Sequence, residues 1–144
     1  MQINTRNFGK LEVSERNVIC FDEGLLGMEE YKKFVMLNNT DTDGPVPFMW
    51  LQCMDHPDVA FVITIPYLLR NEYEVDIPDE ICEKLEIDDP HDVAIYSIVK
   101  INGPISNATM NLQSPIVINA NNYKGAQIVM HDMMYGCEEK CTRY

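Results

Sequence analysis

Short apolar runs broken by turn residues dominate this chain, and helical periodicity is rare. The runs predict strands at Gln2–Thr5, Val18–Phe21, Lys33–Asn38, Phe48–Cys53, Val59–Ile65, Val93–Ile101, Thr109–Gln113, Ile116–Asn119 and Ala126–Met130. They are rich in Ile, Val, Phe, Tyr and Thr, which suit a pleated, half-buried surface. Several are apolar on both alternations. In Ala60-Phe-Val-Ile-Thr-Ile65, Phe61, Ile63 and Ile65 point one way while Ala60 and Val62 point the other. Strands covered on both faces, or lining and covering a small barrel, read like this. Gly24, Gly27, Gly44-Pro45, Pro57, Pro66, Pro90, Gly103-Pro104, Pro115 and Gly125 punctuate the gaps without opening a long linker. The expected fold is mainly β, a small antiparallel β-barrel-like domain.

One segment departs from the strand pattern. From Asp76 to Ile87, the residues Ile77, Ile81 and Leu85 recur every four positions and make one apolar stripe. Pro78 suits a first helical turn because its missing N–H costs nothing there, and Asp79 and Glu80 favour the positive end of the helix dipole. A single short helix over about residues 78–86 is predicted, packed on or plugging the β-structure.

Composition adds a bound and a charge. The 144 residues suffice for one core, since a domain of this size buries roughly 68–70% of its unfolded surface. At 46% hydrophobic and 24% charged, the composition is that of a globular domain rather than a disordered chain. The formal charge is −12, and it is concentrated. Glu72, Glu74, Asp76, Asp79, Glu80, Glu83, Glu86, Asp88, Asp89 and Asp92 stand against Lys84 alone, so residues 72–92 carry −9 and the rest only −3. This argues against direct binding to nucleic acid or to an anionic membrane, where affinity comes from Lys and Arg. The segment reads either as a solvated helix with its flanking loops or as a docking face for a basic protein, whose approach such a field would steer. A calcium loop is disfavoured, because Asp88-Asp-Pro-His-Asp92 lacks the ligand spacing and the glycine. Within Arg70–Asp76, strand-like alternation puts Glu72, Glu74 and Asp76 on one side and Tyr73 and Val75 on the other. Tyr73 is then either an interface aromatic or a core one.

The signatures of common catalysts are missing. There is no phosphate-cradling glycine loop, Walker-type lysine or nucleophile elbow, and Asp22-Glu-Gly-Leu-Leu-Gly27 reads as a tight turn. Five cysteines, at 20, 53, 82, 137 and 141, suit free thiols in a reducing compartment better than a disulfide framework. The longest apolar run, Val59–Ile63, is far short of the ~18 residues of a spanning helix, and the first residues offer no secretory signal. A cytoplasmic protein without cofactor or metal is expected, a monomer when free. The competing reading is a thiol- or zinc-dependent protein built on Cys137, Cys141 and His131, although zinc sites normally offer two clear ligand pairs.

Taken in order, several stretches resemble the flagellar assembly factor FliW family. They are Phe21-Asp-Glu-Gly-Leu-Leu-Gly27, Pro47-Phe-Met-Trp-Leu-Gln52, Ala60-Phe61 with Pro66, Tyr73-Glu-Val-Asp76, and Thr109-Met-Asn-Leu-Gln-Ser-Pro-Ile-Val-Ile-Asn119. Gly125-Ala-Gln-Ile-Val129 and Tyr135 continue the likeness, giving a domain over residues 1–135 and a short tail over 136–144 outside it. The chain departs from the family pattern at Leu26, where proline is usual, at Met28, where an aromatic is common, and at Cys53, where serine is common. The resemblance implies a barrel-like fold and no catalytic activity. It also implies two partners: the basic RNA-binding regulator CsrA, whose repression of flagellin synthesis such factors relieve, and flagellin itself. The residues expected to meet a basic partner are Glu72, Tyr73, Glu74, Asp76, Asp79, Glu80 and Glu83.

Overall fold

The computed structural model describes residues 1–38, 48–101, 103–104, 107–131 and 135–141. The expected Gly44-Pro45 turn and Pro47 lie outside the described residues. Eleven strands form among the rest: β1 (Gln2–Thr5), β2 (Gly9–Glu12), β3 (Val18–Phe21), β4 (Lys33–Asn38), β5 (Phe48–Cys53), β6 (Ala60–Thr64), β7 (Val93–Lys100), β8 (Thr109–Met110), β9 (Ile116–Asn119), β10 (Lys124–Gln127) and β11 (Glu139–Lys140). The α-helix, α1, spans Asp79–Lys84.

Strands β3 to β7 pair consecutively and antiparallel. The long β7 then divides its partners. Ser97–Val99 pair with β6, Val93–Tyr96 with β9, and Val99–Lys100 with the short β8. β9 pairs with β10, and β10 closes the ring by a parallel contact with β3, Gly125 opposite Phe21. The seven strands β3, β4, β5, β6, β7, β9 and β10 thus form a closed barrel, which removes the open edges of a sheet. The barrel and the helix bear out the expected fold class.

Alternation along the strands produces two cores. One packs Ile19, Phe21, Phe34, Leu51, Ile63, Ile116 and Ile118 inside the barrel, with Phe21 and Phe34 edge to face at 5.6 Å. Gly125 is required here, because a Cβ at that position would stand 2.7 Å from the Phe21 ring. The second core lies on the outer face. There Val62, Ile95, Val99, Val117 and Ala126 meet Leu69, Tyr73, Leu85, Met110 and Leu112. Phe61 and Ile63 belong to the first core and Val62 to the second, which explains a strand that is apolar on both sides.

The β1–β2 hairpin docks through Gln52, which is 1% exposed. Its Oε1 accepts from the Arg6 amide, while its Nε2 donates to the carbonyls of Cys53, Pro57 and Val59. Expected strands differ from the observed ones where side chains capture the backbone. The strand expected over Thr109–Gln113 stops at Met110, because the Asn111 Oδ1 takes the amides of Gln113 and Ser114 into a turn. The strand expected over Ala126–Met130 instead runs over Lys124–Gln127, with Ile128 and Met130 leaving the ladder to pack in the outer core.

Candidate docking face

Residues 66–92 form an arm across the outer face of the barrel. A 3-10 turn, Pro66–Leu68, leads into residues 73–78, which run without regular structure into α1, and a second 3-10 turn, Pro90–Asp92, feeds β7. The arm is amphipathic by alternation. Tyr73 and Leu85 are buried in the outer core, and Val75, Ile77, Ile81 and Ile87 pack against it. Glu72, Glu74, Asp76, Asp79, Glu80 and Glu83 are all exposed. Apolar positions are drawn onto the barrel by the hydrophobic effect, and carboxylates stay in water because burying an unpaired charge is costly.

Tyr73 needs a correction. It is 1% exposed, so it does not belong to the docking face. Its hydroxyl donates to the Leu112 carbonyl at 2.7 Å, and its ring meets Tyr135 at 4.9 Å and Tyr67 at 5.7 Å. Burial, then the neighbouring Tyr67 and Tyr135, pushes the Tyr73 phenol well above its usual range. The Arg70–Asp76 alternation is real in burial but reflects packing on the barrel, not a ladder with another strand.

The helix ends in a Schellman arrangement: the Ile87 amide donates to the Cys82 carbonyl and the Glu86 amide to that of Glu83. Glu86 takes the left-handed position, at φ 57°, where glycine is usual. The freed carbonyls are met from the barrel. Asn119 Nδ2 donates to Leu85 O at 2.9 Å and Glu86 O at 3.1 Å, and Asn122 Nδ2 reaches Leu85 O at 3.1 Å.

Ion pairs at the arm leave its outer carboxylates untouched. Lys84 bonds Glu23 at 2.9 Å, outside the arm, and Lys124 bonds Glu86. These hydrogen bonds are the main reason that the carboxyls of Glu23 and Glu86 lie below their ordinary range. Asp89 is also lowered, first by the backbone amide of His91. Glu72, Glu74, Asp76, Asp79, Glu80 and Glu83 have no ion pair among the described residues. The arm therefore presents a band of largely uncompensated negative charge, with Lys84 attracting Glu80 but paired to Glu23.

Sequence reasoning missed two neighbours of that band. Tyr67 is 37% exposed and Leu68 41% exposed. Burial, then the charge of Glu74, raises the Tyr67 phenol above its usual value. Their signal was faint, since an apolar pair after Pro66 looks like core. An apolar spot beside charges is nonetheless the common anatomy of a protein interface.

The alternative site is not assembled. His131 and Cys137 are exposed and Cys141 is 3% exposed, and no three His, Cys, Asp or Glu side chains group as metal ligands among the described residues. Part of the expected tail is folded, for Glu139–Lys140 pair with β8 and Cys141 joins the outer core. Burial holds the Cys141 thiol up at about 11, against a smaller opposing effect of Arg70. No helix among the described residues is long and apolar enough to cross a membrane.

Comparison with known proteins gives the family and the fold. The family model described as FliW protein matches residues 2–141. A flagellar assembly factor FliW of Caldicellulosiruptor saccharolyticus is 43% identical over 133 residues, covering 92% of this chain and 85% of that protein. One from Syntrophus aciditrophicus is 42% identical over 135 residues, covering 94% and 84%. A crystal structure of the flagellar assembly factor FliW superposes with a TM-score of 0.91 at 33% identity, over 100% of this chain and 99% of the other. The chain belongs to the FliW family of flagellar assembly factors.

Proposed function

We propose that this protein acts by binding rather than by catalysis, as a cytoplasmic regulator that docks a basic RNA-binding protein of the CsrA type on its acidic arm. Docking relieves that regulator's repression of flagellin synthesis. The observation that supports this reading is the set of six exposed carboxylates, Glu72, Glu74, Asp76, Asp79, Glu80 and Glu83, without ion pairs among the described residues and carried on a segment packed along the barrel. A field of one sign raises the encounter rate with an oppositely charged partner and disfavours RNA on the same surface. Tyr67 and Leu68 supply the apolar contact that charge alone lacks. Flagellin as a second partner, and the monomeric free state, rest on the family and on the overall charge.

Calorimetric titration into the CsrA-type regulator of the same organism tests the proposal. Glu72→Lys with Glu74→Lys abolishes binding while circular dichroism and the melting midpoint stay near those of the parent. Binding that survives both reversals would overturn the proposal.

A further inference from the structure

The middle of the acidic arm, residues 73–86, is held at both ends by one short stretch of the barrel. At the front end, the Tyr73 hydroxyl donates to the Leu112 carbonyl at 2.7 Å. At the rear, Asn119 Nδ2 donates to the carbonyls of Leu85 and Glu86 at 2.9 and 3.1 Å. Leu112, in the Asn111 turn that leads into β9, and Asn119, the last residue of β9, are seven positions apart in sequence, so both grips come from one short, buried stretch of chain. Tyr73, Leu112 and Asn119 are 1%, 0% and 3% exposed, so water does not compete for the bonds to the Leu112 and Leu85 carbonyls, while the bond to Glu86 is part-buried. The arm between the grips has little regular structure to hold itself: residues 73–78 have none, and α1 is six residues long, too short to stand alone in water.

We infer that Tyr73 and Asn119 are positioning residues for the docking face, fixing the acidic arm in its binding conformation before a partner arrives. The inference rests on the docking reading above. Without the clasp, a band of like charges would spread by mutual repulsion, and ordering it would be charged against every binding event. Asn119 acts through its amide donors alone, since its Oδ1 is already engaged by the Asn121 amide. Tyr73 acts through its hydroxyl, its ring being placed by Tyr67 and Tyr135.

Two variants test the inference on the full chain. Asn119→Asp keeps the acceptor and the shape but removes both donors, and Tyr73→Phe keeps the ring and the net charge. Amide hydrogen exchange is followed together with calorimetric titration of the CsrA-type regulator. Loss of a grip speeds local exchange by about tenfold. Asn119→Asp does so at Leu85, Glu86 and Ile87, and Tyr73→Phe does so at the amide of residue 73, while β4, β5 and β6 keep parental rates. Affinity for the regulator falls by about tenfold in each. Unchanged exchange along the arm, or faster exchange with undiminished affinity, would overturn the inference. The Glu72→Lys, Glu74→Lys pair separates the two claims. If those reversals leave affinity intact, the docking reading fails. If they abolish binding but Tyr73→Phe does not weaken it, only the positioning role fails.

Discussion

The Tyr73 hydroxyl donates to the Leu112 carbonyl across 2.7 Å, and both residues are sealed from solvent. That bond ties an arm carrying most of the protein's net negative charge to the outer face of its barrel. Removing only the hydroxyl, as in Tyr73→Phe, leaves a buried carbonyl without this donor and costs roughly 1–3 kcal/mol. Denaturant unfolding monitored by far-ultraviolet circular dichroism reads that loss as a lower midpoint with an unchanged slope.

Alkali should destabilise the fold through the groups that burial keeps protonated. In the unfolded chain the Cys141 thiol ionises near its ordinary value of 9, whereas the folded protein holds it to about 11. The unfolded state therefore binds fewer protons in that interval. The thiol's contribution is complete below pH 9 and is lost as pH rises through 11. Cys141→Ala flattens this part of the stability–pH curve and leaves the further decline that comes from Tyr73, whose phenol is also raised by burial.

Thiol reactivity should divide by exposure. Cys137 is exposed, whereas Cys53 and Cys141 are 1% and 3% exposed. Under native conditions a thiol-specific reagent labels Cys137 first, and Cys53 and Cys141 react only as the protein opens. Peptide mapping after timed labelling gives the order.

Gln52 joins the hairpin to the barrel through one accepted and three donated hydrogen bonds, all from a side chain 1% exposed. Gln52→Leu preserves much of its volume but leaves the Arg6 amide and several carbonyls without it, at a cost of roughly 1–3 kcal/mol. The loss appears as faster hydrogen exchange across β1 and β2 and a lower unfolding midpoint.

Gly125 faces the Phe21 ring, where an added Cβ would approach to 2.7 Å. Gly125→Ala must displace an aromatic that is itself packed on Phe34, and overpacking of this kind costs about 1–3 kcal/mol. A thermal melt that matched the parent's would contradict the packing described at the β3–β10 closure.

Much of the barrel was legible because its strands are local patterns closed by turn residues. β1, β3, β4, β5 and β9 have the bounds that alternation alone predicts. β2 was missed because Gly9, Lys10 and Glu12 are exposed and only Leu11 is partly buried, so no apolar alternation marks it. β11 is two residues, Glu139 and Lys140, and exists through its pairing with β8. The acidic band was legible as charge, and its alternation named the outward carboxylates. The fate of Tyr73 was not. Tyrosine serves both interfaces and cores, and only the Leu112 carbonyl, 39 residues away, decides between them. Asn119 likewise gave no local sign that it caps a helix 34 residues earlier.

The most direct test of the docking reading is calorimetric titration of the protein into the CsrA-type regulator at two salt concentrations. Exposed charges more than ~8 Å apart are largely screened at physiological ionic strength, so binding driven by the arm weakens as salt is raised. Sub-micromolar affinity at low salt, falling at high salt and lost in the Glu72→Lys, Glu74→Lys variant, is the expected result. Absence of binding to a regulator that still binds RNA, or an affinity indifferent to salt and to both reversals, would contradict it.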